Sequence, residues 1–352
     1  MTIKVGMVGL GHMGQLHMLN AMRVDGVKVV AAADKDKKSR AFAERFHIKA
    51  YDDYTKLIDS EELDAVIVSL PNFLKKDGVF YASERGLDVF LDKPFSRNYA
   101  EAEAIMQKAQ HNGTRLMVGV NYRYFPCVQK LKTKLDSGQL GDAVIATSEL
   151  VLNGPISHGA VPVPVPEWWL NKDLAGGGAV LDLGYHLVDL LTWMLGDFDV
   201  SFSKLGHKLN LPIEDAGTIV LHSKVCDLDC IVNVGWFSKS IFPDFNFRVN
   251  LHGTVGFDST DRYIPADAKM NAFKEGVKNI ARRITFQKPN YLSYTYYYES
   301  FFTIMKLFFE SLKNGSEFPV SLTQQLDVIK IIESAYKQNG AQKNGESNSY
   351  LG

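Results

Sequence analysis

The chain has 352 residues, too many for one ordinary hydrophobic core, so two domains are expected. Its 46% hydrophobic and 22% charged residues are the balance of a folded globular protein, and a net charge of −1 gives no global field to recruit nucleic acid or anionic lipid. Cys127, Cys226 and Cys230 are too few and too poorly spaced for a disulfide framework or a zinc site, and the last two read as packing residues of a strand. The sequence opens on a strand-like run without a charged leader, and no apolar run approaches the ~20 residues of a membrane helix. A cytoplasmic protein with no metal, nucleic-acid or membrane partner is expected.

The first 120 residues alternate between two periods. Apolar strand-like runs fall at Ile3–Val8, Val27–Ala33, Ala65–Leu70, Asp88–Leu91 and Leu116–Val120. Helical patterns separate them at Met13–Arg23, Lys38–Phe46, after Asn72, and at Tyr99–His111. Short buried strands alternating with helices predict a parallel sheet covered on both faces. The second half is dominated by strand patterns at Ala143–Val151, Thr218–His222, Asp229–Trp236 and Phe245–Leu251, with helices from about Asp182 to Leu195 and from Glu299 to Lys313. That mixture predicts an α+β unit with a mainly antiparallel sheet. Residues 1–120 and 121–338 are the expected domains, and the polar stretch 339–352 reads as a frayed tail.

Gly9-Leu10-Gly11-His12-Met13-Gly14 follows the first strand and opens the first helix. In that context each glycine has a task. Gly9 permits the tight turn, Gly11 lets backbone approach a pyrophosphate, and Gly14 lets helix and strand pack closely. The helix N-terminus adds unpaired N–H groups and a partial positive charge. Asp34, at the end of the second strand, is placed to accept hydrogen bonds from the adenosine ribose and to repel a 2′-phosphate. It argues for NAD. Its neighbours Lys35, Lys37, Lys38 and Arg40 could instead hold the phosphate of NADP or form a solvated helix start.

Asp92-Lys93-Pro94 follows another strand, at the carboxyl end where open α/β sheets bind ligands, and Pro94 is a candidate for a cis bond. Leu70-Pro71-Asn72 ends the preceding strand and borders the same crevice. Further on, the glycine run Ala175–Ala179 reads as a flexible lead-in to a helix. At 100° per residue, Asp182, His186 and Asp189 share one stripe of that helix, separate from the apolar face of Leu183, Leu187 and Leu190. An i, i+4 pair of Asp182 and His186 would orient the imidazole and raise its basicity. Gly184 inside the stripe suggests a close approach by another element. With a nicotinamide cofactor in the first domain, a histidine base is the missing component of a hydride-transfer site.

Less specific features remain. The basic stretch Lys269–Lys288 reads as a solvated helix face, and Tyr291, Tyr294 and Tyr296–Tyr298 as filling of a sheet–helix interface. Trp168 and Trp169 follow the Pro162–Pro166 loop, with Trp169 a candidate to face the substrate.

Taken in order, these motifs resemble the Gfo/Idh/MocA family of oxidoreductases. The resemblance runs through Gly9-x-Gly11-x-x-Gly14, Asp64-Ala65-Val66 into Pro71-Asn72, and Lys93-Pro94. It continues through Gly119-Val120-Asn121-Tyr122-Arg123-Tyr124-x-Pro126, the glycine run, and Asp182-x-Gly184-x-His186-x-x-Asp189. It implies a Rossmann domain followed by an α+β domain whose open sheet face serves a homodimer or homotetramer. It also implies catalysis by Lys93, Asp182 and His186, with Arg123 and Asp189 near a sugar, polyol or nucleotide-sugar substrate. The cofactor site would comprise Gly9, Gly11, His12, Met13, Gly14, Asp34, Lys35, Leu70, Pro71, Asn72, Asp92, Lys93 and Tyr122. Two positions depart from the family pattern: Asp92 stands where Glu is usual, and Lys75 where His is usual. Rival readings are a reductase of a non-sugar carbonyl or imine, and a dinucleotide-sensing regulator without activity.

Overall fold

A strand of continuous apolar residues, β1 (Ile3–Val8), leads into α1 (His12–Ala21) through the glycine turn. The alternation continues with β2 (Val27–Ala33), α2 (Lys37–Glu44), β3 (Lys49–Tyr51), α3 (Tyr54–Ser60), β4 (Ala65–Val68) and α4 (Asn72–Ser83). β5 (Asp88–Asp92), α5 (Tyr99–Asn112) and β6 (Leu116–Gly119) complete the unit. Helix starts are set by short polar side chains: Asp36, Asp53 and Asn98 accept the N–H groups of Ser39, Thr55 and Glu101. Asn112 is the last residue of α5, and Gly113 ends it in the left-handed conformation.

The computed structural model describes residues 2–154, 165–237, 245–263, 268–285 and 296–349. Tyr291, Tyr294 and most of the Pro162–Pro166 loop lie outside the described residues. The first six strands form one parallel sheet in the order β3-β2-β1-β4-β5-β6. Every residue of β4 is buried, as a parallel strand covered on both faces requires. Strand order reverses between β1 and β4, and this switch point opens the crevice in which such sheets bind ligands.

The second half begins with a 3₁₀ turn (Asn121–Tyr124), α6 (Pro126–Asp136) and β7 (Ala143–Asn153). A second 3₁₀ turn (Glu167–Leu170) and α7 (Lys172–Ala175) precede a π-helical turn at Val180–Gly184, which runs into α8 (Tyr185–Leu195). Then come β8 (Phe198–Gly206), β9 (Ala216–Ser223), β10 (Asp229–Phe237), β11 (Phe245–Gly253) and β12 (Phe257–Ser259). Three helices close the chain: α9 (Ala268–Ile284), α10 (Tyr296–Asn314) and α11 (Leu322–Ser349). The second sheet has the order β12-β11-β7-β10-β9-β8; β7 and β10 run parallel and the other pairs antiparallel. The fold is thus a Rossmann unit joined to a mainly antiparallel α+β unit. The apolar segment Lys172–Leu195 is long enough to span a membrane by composition, yet 83% of its most apolar window is buried inside the fold.

A division at residue 120 separates the two sheets, but the last helices cross it. Phe308 of α10 packs edge-on against Phe90 of β5 at 5.5 Å, and Phe301 meets His17 of α1 at 5.8 Å. The second segment therefore supplies a covering layer for the first sheet. Sequence pattern missed β3, α3, α6, α7, β8, β12 and α11. The stretch after Gln338, expected to fray, stays helical to Ser349. α11 was hidden because its buried Val328, Ile329, Ile331 and Ile332 are β-branched, with weak helix preference. Cys230 is buried as expected of a strand residue, whereas Cys226 lies exposed on the turn before β10.

Candidate active site

The glycine turn is built as its sequence requires. Gly9 has φ +94°, and a β-carbon there would stand 2.5 Å from the Ser69 carbonyl oxygen. One on Gly14 would stand 2.1 Å from the Gly9 carbonyl oxygen. Gly11 is different: a β-carbon would meet nothing within 4 Å, so its backbone faces open space at the mouth of α1. No acidic side chain occupies the first turn of that helix. Ser69 Oγ is enclosed beside Gly14 without a partner. An open, uncapped helix N-terminus with a bare backbone and an orphaned hydroxyl fits the pyrophosphate of a dinucleotide.

Asp34 extends that site. Its carboxylate accepts the N–H of Leu10 at 2.7 Å and that of Asp36 at 2.8 Å, which fixes it beside the glycine turn. Lys35, Lys37 and Lys38 are exposed, while Arg40 donates to the carbonyls of Asp34 and Lys35. His12 is exposed and Met13 half-buried at the start of α1; Leu70 and Pro71 are half-buried across the crevice. Asn72 is used otherwise. Its amide donates to the Ala175 carbonyl at 2.7 Å and ties the first domain to the glycine run of the second.

That run is not a flexible lead-in. β-carbons on Gly177 and Gly178 would meet Tyr336 Oη at 2.0 Å and the Glu214 carbonyl at 2.1 Å. The buried Glu214 accepts the N–H groups of Gly178 and Val180 and the Tyr336 hydroxyl, anchoring the start of the helix that carries Asp182 and His186. Burial pushes its carboxyl above the ordinary value, against these hydrogen bonds. Sequence pattern offered no signal for Glu214, which lies in a connection remote from the motif.

Lys93 reaches this helix from the other domain. The Lys93-Pro94 bond is cis. Lys93 Nζ lies 2.7 Å from Asp182 Oδ1 and 3.3 Å from the Asp182 carbonyl, both side chains about one-fifth exposed. This corrects the expected Asp182–His186 pair. The π turn at Val180–Gly184 adds about one residue to the turn, so counting at 100° per residue fails across it. Asp182 turns to Lys93 instead. Nor does Gly184 mark a close approach, because a β-carbon there would come no nearer than 3.7 Å to any neighbour.

His186 is held by stacking. Its ring lies 4.0 Å from that of Tyr122, which also stacks on Phe125 at 4.4 Å. Burial, reinforced by the Lys93 charge, pulls His186 well below the ordinary histidine value. The imidazole is therefore neutral near pH 7, the form that accepts a proton. Its Nδ1 is enclosed and has no hydrogen-bond partner.

Profiles described as "Oxidoreductase family, NAD-binding Rossmann fold" and "GFO/IDH/MocA C-terminal domain" match residues 3–120 and 128–257. The chain belongs to the Gfo/Idh/MocA family. It is 25% identical to the rhizopine catabolism protein MocA of Rhizobium meliloti over 270 residues, covering 76% of this chain and 80% of that protein. With an inositol 2-dehydrogenase of Salmonella typhimurium the identity is 29% over 202 residues, 56% of each chain. Among solved structures, an oxidoreductase from Agrobacterium radiobacter in complex with NAD+, L-tartaric acid and magnesium matches with a TM-score of 0.74, at 20% identity over 97% of both chains. A myo-inositol 2-dehydrogenase from Lactobacillus plantarum matches with a TM-score of 0.77, at 16% identity over 97% of this chain and 98% of that one. These two structures show the fold, and the chain is an NAD(P)-dependent oxidoreductase by family.

Within this Gfo/Idh/MocA site, several expected contacts fall elsewhere. Arg123 and Asp189, each 1% exposed, do not open to a sugar. Arg123 Nε and Nη2 lie 2.9 and 2.5 Å from the Asp189 carboxylate, which also accepts from Gln325. A buried bidentate pair completed by amides is a structural strut. Tyr122, almost fully buried, supports His186 rather than lining an open cofactor site. Asp92 turns inward, its Oδ1 3.1 Å from His17 Nε2. Burial opposes its ionisation, but the His17 contact and the charges of Lys75 and Lys93 prevail, leaving its carboxyl below the ordinary value. Trp169, half-buried, stacks on Trp236 at 5.9 Å.

Proposed function

We propose that this protein oxidises a secondary alcohol of a sugar, cyclic polyol or nucleotide sugar, or reduces the corresponding ketone. The observation that carries the reading is Lys93. It stands 2.7 Å from Asp182 and close enough to His186 to depress its proton affinity, at the carboxyl end of the dinucleotide-binding sheet. When bound, a nicotinamide supplies the acceptor for the hydride leaving the alcohol carbon. The substrate hydroxyl would lie between Lys93 and His186. Neutral His186 takes the hydroxyl proton at Nε2. The Lys93 ammonium stabilises the developing alkoxide, and Asp182 fixes that ammonium in direction. In the reverse direction His186 returns the proton.

NAD is the cofactor this reading favours. Asp34 is held where a 2′-phosphate would meet its charge, and the Arg40 Nη1 donor is already committed to backbone carbonyls. Asp34→Ala should therefore narrow the preference for NAD. The outer face of the second sheet, with Ile145 exposed on β7, would join copies of the chain into a homodimer or homotetramer, which molar mass in solution tests.

The direct test is a cofactor-reduction screen over inositols, aldoses, sugar acids and UDP-sugars, with NAD and with NADP. Reduction with at least one class supports the reading. Tight dinucleotide binding with no reduction across the panel, and no oxidation of NADH or NADPH with the matching ketones, would identify a regulator or an enzyme of another substrate class.

A further inference from the structure

The segment that carries Lys93 leaves the sheet before it reaches the site. The last pair between β5 and β6 is Asp92 with Gly119, so Lys93, Pro94 and Phe95 have no ladder to hold them. Their position must come from side chains, and three elements provide them. His17 of α1 holds the Asp92 carboxylate. The Tyr185 hydroxyl of α8 accepts the Phe95 N–H at 3.3 Å, and donates onward to Gln325, the partner of Asp189. Lys75 of α4 makes the most direct contact: Nζ donates to the Asp92 carbonyl at 2.8 Å and to the Pro94 carbonyl at 3.0 Å.

We propose that Lys75 is a positioning residue of the reaction, setting where Lys93 stands by gripping the carbonyls on either side of the Lys93-Pro94 pair. It is 2% exposed and its amine is turned to these two carbonyls, so it acts through Lys93 and not on the reacting atoms. The inference rests on the reading of Lys93 as catalytic.

The choice of a lysine here is informative. Burial brings the Lys75 amine down from 10.5 to about 7, the nearby Asp92 carboxylate opposing that and the Lys93 charge adding to it. If the site needed only volume, a methionine would fill it without desolvating an ammonium. What a methionine lacks is the N–H donors. Without them the Asp92 and Pro94 carbonyls lose these partners in a buried place, and the turn is free to shift. A displacement on the order of 1 Å at the acid–base pair is enough to slow chemistry about a hundredfold.

The test pairs one readout that needs no substrate with one that does. In the full chain carrying Lys75→Met, backbone amide exchange across residues 92–96 should rise about tenfold, with the glycine turn at residues 9–14 unchanged. With an alcohol found in the screen, kcat should fall about tenfold to a hundredfold while KM and dinucleotide affinity stay within about twofold. Lys75→Gln, which keeps N–H donors on a shorter side chain, should recover part of kcat, and it carries the same readouts if the methionine variant does not fold. Wild-type exchange and wild-type kcat in Lys75→Met would overturn the proposal. So would a loss of dinucleotide affinity in step with kcat, which would make Lys75 part of the cofactor site or of the general fold. If no alcohol is a substrate, the functional reading fails by itself. Raised exchange at 92–96 would then still show the grip of Lys75 on this segment, and unchanged exchange would refute it.

Discussion

The glycine turn and the helix that carries His186 are built on different principles. At Gly9 and Gly14 the function lies in the backbone, since any β-carbon would collide with a carbonyl oxygen at 2.5 or 2.1 Å. At Asp182 and His186 the proposed function depends on side-chain directions, and one π turn is enough to redirect them. A requirement for no side chain is visible in sequence as glycine. A requirement for a particular side-chain direction is visible only if the helix has its ordinary period, and here it does not. The difference teaches that the turn admits no side chain at Gly9 or Gly14, whereas the helix that carries His186 depends on struts that lie behind it.

The largest stability effect is therefore expected at a strut. Arg123→Ala leaves the buried Asp189 carboxylate with the Gln325 amide in place of its charged partner, and chemical denaturation should show a loss of about 3–5 kcal/mol. A loss below about 1 kcal/mol would mean that the pair is not the support described here. Gly14→Ala comes next. Crowding of backbone against backbone should cost about 1–3 kcal/mol and weaken dinucleotide binding in a fluorescence titration; unchanged affinity would remove the turn from the cofactor site.

A smaller effect is a slope with pH. Lys75 titrates near 7 in the folded protein and near 10.5 when unfolded, so the unfolded chain binds the extra proton between those values. Its contribution to stability accordingly grows as pH rises from about 7 toward 10.5. Melting temperatures of wild type and Lys75→Met, compared across pH 7.5–9.5, should show wild type gaining relative to the variant as pH increases. Parallel curves would place that amine in water. The smallest effect is at Gly184, where a β-carbon meets only ordinary contacts. Gly184→Ala should be neutral or stabilising by up to ~1 kcal/mol, with turnover kept. A large loss would mean that the π turn itself needs the glycine.

Much of the first domain was legible because its signals are local. Apolar runs such as Ala65–Val68, the glycine turn and Asp34 all keep in the fold the places their neighbours in sequence predict. Lys93 and His186 were legible as a pair only through motif spacing, since nothing local says that residues from two domains meet. What escaped was set by tertiary contact. Arg123 and Asp189 look like ligand-binding charges until Gln324 and Gln325, from a helix unmarked in sequence, close around them. Asp92 and Tyr122 likewise turned inward, toward His17 and His186. Lys75 stood out only as a departure from the family pattern, and its two carbonyl contacts show what the longer side chain reaches.

The central claim is that His186, set beside Lys93, performs the proton transfer on a site separate from the dinucleotide turn. Measuring turnover and dinucleotide affinity together in His186→Ala tests it most directly. The predicted result is a fall in kcat of roughly 10²–10⁴-fold with dinucleotide affinity essentially kept. Turnover near that of the wild type would contradict it.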